Sequence, residues 1–179
     1  TLIRAFSEND DEVGANSCKV ISTFSNKGGI GKTSIAVNTA VEIADMTKEK
    51  VALIDLNLQL GDVSTFLDLN PGFDIAYIVK NLDNMDDSEL IQSLSQYKNS
   101  TLYVVADPVN IEKSKEISSE QIEALIKRLK KIFSYIIIDV STSIDAKSIK
   151  ALDISDVILL IAIVVIIVCL VKMKKDEKF

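Results

Sequence analysis

The sequence predicts a three-layer α/β domain built on a doubly wound, mostly parallel sheet. Two observations predict it. Short β-branched apolar runs alternate with segments of helical period, which implies right-handed β-α-β units. In addition, Val51-Ala52-Leu53-Ile54-Asp55 and Tyr135-Ile136-Ile137-Ile138-Asp139 are apolar up to a closing carboxylate, as suits strands covered on both faces. Ligands of such sheets bind outside the carboxyl ends of the strands, so both aspartates are expected beside one site.

Taken in order, residues 1–17 carry the acidic Glu8-Asn9-Asp10-Asp11-Glu12 and no periodicity, and read as a linker or disordered N-terminus. One domain is expected over 18–171, followed by a charged tail over 172–179. The first strand runs from Lys19 to Ser25. After a glycine-rich turn, residues 33–47 form a helix with Ile35, Ala36, Ala40, Ile43 and Ala44 at helical spacing. The second strand ends at Asp55, and Pro71-Gly72 marks a turn. Ile75, Ile78, Val79 and Leu82 suggest a short helix, and Asp87 or Ser88 a cap for another through Leu94. Leu102-Tyr103-Val104-Val105-Ala106 is the third strand. Ser118-Ser119-Glu120-Gln121 fits a capping box. Behind it Ile122, Leu125, Ile126, Leu129 and Phe133 share a stripe opposite Lys127, Arg128, Lys130 and Lys131. Residues 135–139 make the fourth strand, 141–152 a loop and helix, and 157–161 the fifth strand.

The organising stretch is Ser25-Asn26-Lys27-Gly28-Gly29-Ile30-Gly31-Lys32-Thr33-Ser34. A strand, a glycine-rich turn and a helix opening on Lys-Thr make a phosphate cradle, the P-loop. Its glycines admit backbone N–H groups to phosphate oxygens, and the helix N-terminus adds its positive dipole end. Gly28, Gly29, Ile30, Gly31, Lys32, Thr33 and Ser34 are therefore the candidate phosphate-binding residues. Lys32 is placed to reach the β/γ-phosphates, and Thr33, Asp55 and Asp139 to hold Mg²⁺. Asp139 has the position of a Walker B aspartate. As an alternative, each aspartate is a cap at its strand's end.

Composition narrows the class. Net charge is −6, so the chain as a whole is not built to coat nucleic acid. It holds no histidine and two distant cysteines, Cys18 and Cys169, which argues against zinc and fits a reducing cytoplasm. Residues 157–171 are uninterruptedly apolar. That run is shorter than the about 20 residues a membrane span needs. It reads as a buried strand plus helix, a truncated or altered tail, or a membrane anchor.

Lys27-Gly28-Gly29-Ile30-Gly31-Lys32-Thr33 has a lysine ahead of the glycine pair and Asn26 where the general P-loop pattern has glycine. It resembles the deviant P-loop of the MinD/ParA family of dimeric ATPases. The resemblance implies an ATP-dependent homodimer in which Lys27 reaches the partner's nucleotide. The stretch from Val51 to Val63, with Asp55, Asn57, Gln59, Gly61 and Asp62, is similar to the second motif of the CpaE/TadZ branch, which localises and assembles Flp/Tad-type pili. Tyr135 to Asp139 and Leu152 to Leu159 fit the same branch. Residues 19–161 carry the likeness. Relatives read Asp-x-Asp where this chain has Asp55 and Asn57, and they continue beyond its C-terminal end. Asn57, at the water-aligning position, orients water but takes no proton, which implies slow hydrolysis by a site using Lys27, Lys32 and Asn57. The implied protein is a nucleotide-timed switch for a pilus or secretion machine, with protein partners there. It would work in the cytoplasm, at the inner face of the membrane or at a cell pole. Nucleic-acid binding by a DNA-partitioning ATPase and a non-hydrolysing nucleotide-binding scaffold are the alternatives.

Overall fold

A computed structural model describes residues 18–59 and 61–161. The expectations for 1–17 and for 162–179 lie outside the described residues.

Among the described residues six strands make one sheet: β1 (Lys19–Phe24), β2 (Val51–Leu56), β3 (Ser95–Gln96), β4 (Leu102–Val105), β5 (Tyr135–Val140) and β6 (Val157–Leu160). Their order is β3-β4-β2-β5-β1-β6, and all pairings are parallel except β3 with β4. The expected mostly parallel α/β sheet is thus observed, with one strand more than the sequence reading. β3 was not legible because it is two polar residues long, too short for any alternation. It closes one edge of the sheet.

The helices are α1 (Lys32–Thr47), α2 (Val63–Phe66), α3 (Ile75–Asn81), α4 (Asp87–Ser93), α5 (Ile111–Glu116), α6 (Ser119–Leu129) and α7 (Ala146–Ile154). They cover both faces. On one face Ala52, Ile54, Ile136 and Ile138 pack with Ile75 and Ile78 of α3, Ile122 and Leu125 of α6 and Ala151 of α7. On the other, Ile21, Val51, Leu53 and Ile137 pack with Ala36, Val37 and Ala40 of α1. Alternate residues of one strand thus enter opposite cores, which is why β2 and β5 are apolar up to the aspartates near their ends, Asp55 and Asp139.

Caps set the helix starts. Ser118 and Gln121 form the expected capping box at α6. For α4 the cap is Asp86, one residue before the expected pair, because Glu89 reaches back to complete a box with it. Asp87 is left to meet Arg128 Nε at 2.6 Å. That contact, a bond from Arg128 Nη2 to the Met85 carbonyl (3.0 Å) and the Lys127–Glu123 pair (2.6 Å) engage half of the basic face read on α6. At the other edge β6 alternates, with Ile158 and Leu160 exposed. Among the described residues no helix is long and apolar enough to cross a membrane.

Candidate functional site

The site forms where β1, β5 and β2 end side by side. Thr23 is the register partner of Asp139, and Asp139 of Asp55. Three residues far apart in sequence therefore lie in a row across adjacent strands, at the carboxyl ends where the topology predicts a ligand.

The glycine loop joins β1 to α1. Ser25 Oγ anchors its start, accepting from Lys27 N–H and donating to the Lys27 carbonyl, both at 3.0 Å. The loop then turns through two left-handed residues, Gly29 (φ 72°) and Gly31 (φ 88°), a conformation that side chains disfavour. Gly31 caps α1 with no side chain of its own. A Cβ built at Gly28, Gly29 or Gly31 would meet no atom within 4 Å. The outer face of the loop is thus an open surface of backbone at a helix N-terminus, the surroundings an anion needs. Lys27 is exposed on its rim.

Inside the loop the first residues of α1 turn to β5. Thr33 Oγ1 donates to Asp139 Oδ2 at 2.5 Å. Lys32, itself buried, has its Nζ 3.8 Å from Asp139 Oδ1. Asp139 is completely buried, and Thr23 Oγ1 donates to its Oδ1 at 3.1 Å. A cation, two hydroxyls and a carboxylate thus meet beneath the glycines. Oxygen donors of this kind suit Mg²⁺, and the lysine suits a phosphate.

Asp55 is used differently. It too is fully buried, but Oδ1 accepts from Asn57 N–H at 2.9 Å and Oδ2 from Val63 N–H at 3.1 Å. Both oxygens hold the loop that carries Asn57. Burial pushes the Asp55 carboxyl up to about 7; the two backbone N–H groups oppose that, and Asp107 and Asp139 add to it. Gly61 lets the same loop pass close by: a Cβ there would fall 2.5 Å from Asp55 Oδ2 and overlap the Asp107 side chain. Burial also raises the Asp107 carboxyl, against backbone N–H groups that include that of Gly61. A cavity of about 440 Å³ opens beyond Asp107, lined by Ser64, Phe73, Tyr77 and Lys113 and not by the glycine loop.

Of the residues expected from sequence, Lys32, Thr33 and Asp139 are in mutual contact, Gly28 to Gly31 form the rim above them, and Ser34 continues α1. Asp55 is adjacent through the sheet, and Asn57 follows it with its N–H tied back to it. Thr23 was missed. The signal available was a polar residue in a strand otherwise covered on both faces, but its partner depends on a register that spacing does not reveal.

Comparisons with known proteins bear on the family and the fold. A family model described as "AAA domain" matches residues 18–168. The septum site-determining protein MinD of Synechocystis sp. is 33% identical over 129 residues, which cover 72% of this chain and 47% of that protein. The sporulation initiation inhibitor protein Soj of Bacillus subtilis is 28% identical over 148 residues, covering 79% of this chain and 57% of that one. The crystal structure of a ParA family ATPase from Chlorobium tepidum superposes with a TM-score of 0.76 at 28% identity, over 82% of this chain and 60% of that one. The chain spans about half the length of the curated relatives it matches. With the family model spanning all six strands, and the P-loop, Thr33 and Asp139 meeting as they do, this chain belongs to the MinD/ParA family of P-loop ATPases.

Proposed function

We propose that the chain binds ATP with Mg²⁺ and works as a dimerising switch. The observation that carries this reading is the meeting of Lys32 and Thr33 on the buried Asp139 beneath an open glycine loop. In it, backbone N–H groups of 28–34 and Lys32 hold the phosphates, while Thr33 and Asp139 hold the metal. Asp55, opposite Asp139 in the sheet, would add a further carboxylate near the metal. Bound Mg²⁺ supplies charge that offsets the build-up on the phosphoryl oxygens. Lys27, exposed at the rim, serves a second copy of the chain across the nucleotide. Asn57 orients the water without taking its proton, so turnover is slow and the ATP-bound dimer long-lived.

The finer role, localising or assembling a pilus or secretion machine with protein partners at the membrane or a pole, rests on the second motif from Val51 to Val63. A DNA-partitioning role draws on the likeness to the ParA family ATPase and on Lys130 and Lys131. The pairing of Arg128 and Lys127 with acids weighs against it. A DNA mobility shift that requires ATP and fades with salt would favour it.

Calorimetry tests the common core. Lys32→Ala keeps the cradle's amides but removes the charged donor, a change of about 1.5–3 kcal/mol, so ATP should bind at least about tenfold more weakly. Equal affinity in the two proteins would refute the phosphate role of Lys32, and no ATP binding by the wild type would refute the reading as a whole.

A further inference from the structure

Thr23 lies on β1, a strand otherwise built for burial, and is itself fully buried. Packing alone is met equally well by valine, which has the same shape. The hydroxyl therefore needs a partner, since an unpaired buried one is costly. It has two acceptors for its single proton: Asp139 Oδ1 at 3.1 Å and the Ile138 carbonyl at 3.3 Å.

The torsion that turns a carboxylate about its own axis is broad and weakly restrained. One contact leaves Asp139 room to swing. Donors on opposite oxygens fix it, and here Thr33 holds Oδ2 while Thr23 and Lys32 lie on the Oδ1 side. Lys32 is also the residue assigned to the phosphates. Once its ammonium turns to them, Thr23 is the side chain left on Oδ1. We propose that Thr23 is a positioning residue whose hydroxyl locks the Asp139 carboxylate so that Oδ2 stands beside Thr33 as a ready pair of Mg²⁺ ligands. This inference rests on the ATP and Mg²⁺ reading above.

The test separates metal from nucleotide. ADP affinity is measured by calorimetry on the whole chain, with Mg²⁺ and with EDTA, for the wild type, Thr23→Val and Thr23→Ser. Thermal melting of each variant checks the fold. Loss of a group that orients a metal ligand lowers metal affinity by about 10–100-fold. The gain in ADP affinity that Mg²⁺ confers should thus shrink by about tenfold in Thr23→Val. Affinity in EDTA should stay unchanged, and Thr23→Ser should retain the wild-type gain. If Thr23→Val does not fold, Thr23→Ala is read in the same way. An undiminished Mg²⁺ gain, an equal loss with and without metal, or a serine variant no better than valine would each overturn the inference. A wild type that binds ADP but gains nothing from Mg²⁺ would overturn it together with the metal half of the reading. A wild type that binds no nucleotide at all would overturn both completely.

Discussion

Thr33 and Asp139, 106 residues apart in sequence, meet at 2.5 Å, hydroxyl to carboxylate. The contact ties the first turn of α1 to the end of β5, so the position of the glycine loop depends on the central strand of the sheet. The site is therefore held by rigid elements on two sides, and the exposed rim, with Lys27, is the part open to another molecule.

Lys27 is anchored by its backbone to Ser25 Oγ, at 3.0 Å, while the residue is exposed. Lys27→Ala should thus leave the loop and monomeric ATP binding intact. Sedimentation with ATP and Mg²⁺ should show a dimer for the wild type and a monomer for the variant. A variant that still dimerises with ATP would remove the sandwich arrangement.

Asn57 begins the loop that Asp55 holds, through a 2.9 Å bond to its N–H. Asn57→Asp supplies a carboxylate able to accept the proton of the attacking water. General-base help reaches about 10²–10⁴-fold when fully used and less in a loose phosphoryl-transfer transition state, so a gain near tenfold is expected. Phosphate release at saturating ATP measures it. Equal or lower turnover in a folded variant would favour the scaffold reading.

Gly61 passes against Asp55 and Asp107 so closely that a Cβ overlaps both. Overpacking of this kind costs about 1–3 kcal/mol. Gly61→Ala should lower the urea midpoint accordingly, and it should disturb the loop between Asn57 and Val63 more than the glycine loop. A midpoint equal to that of the wild type would show that the Asp107 and Asp55 side chains both move aside.

Cys18 supplies a pH test. Burial pushes its thiol from 9.0 up to about 11, with Lys130 opposing and Asp156 assisting. Below pH 9 the thiol is protonated in both the folded and the unfolded chain and contributes no slope. Between 9 and about 11 the unfolded chain loses the proton first, so it binds fewer protons than the folded one and stability falls as pH rises. Urea titrations across that window should show a shallower fall for Cys18→Ala than for the wild type. Parallel curves would mean that the folded thiol titrates normally.

Much of this was legible beforehand, and the reasons differ by element. β2 and β5 declared themselves because a strand covered on both faces is apolar along its length up to its closing aspartate. The glycine loop did so because its chemistry is local: glycines, Lys32 and Thr33 are neighbours in the chain. The Ser118 box is likewise local. What stayed hidden depends on register. Thr23 finds Asp139 only because β1 and β5 pair with those residues opposite each other. The second use of Asp55, as the anchor of a loop, shows only when Val63 is seen to fold back onto it. The Asp86 cap, chosen over Asp87 and Ser88, turns on which acid Glu89 answers.

The strand order has a kinetic consequence. β5 lies between β1 and β2, yet its residues follow those of β1 by more than a hundred positions, as Thr23 and Asp139 show at a separation of 116. Pairings between such distant segments close large loops before they gain contacts, which slows folding. During synthesis β1 and the glycine loop emerge early and wait without their central neighbour. The Thr33–Asp139 contact can therefore form only at a late stage, once β5 has docked between β1 and β2.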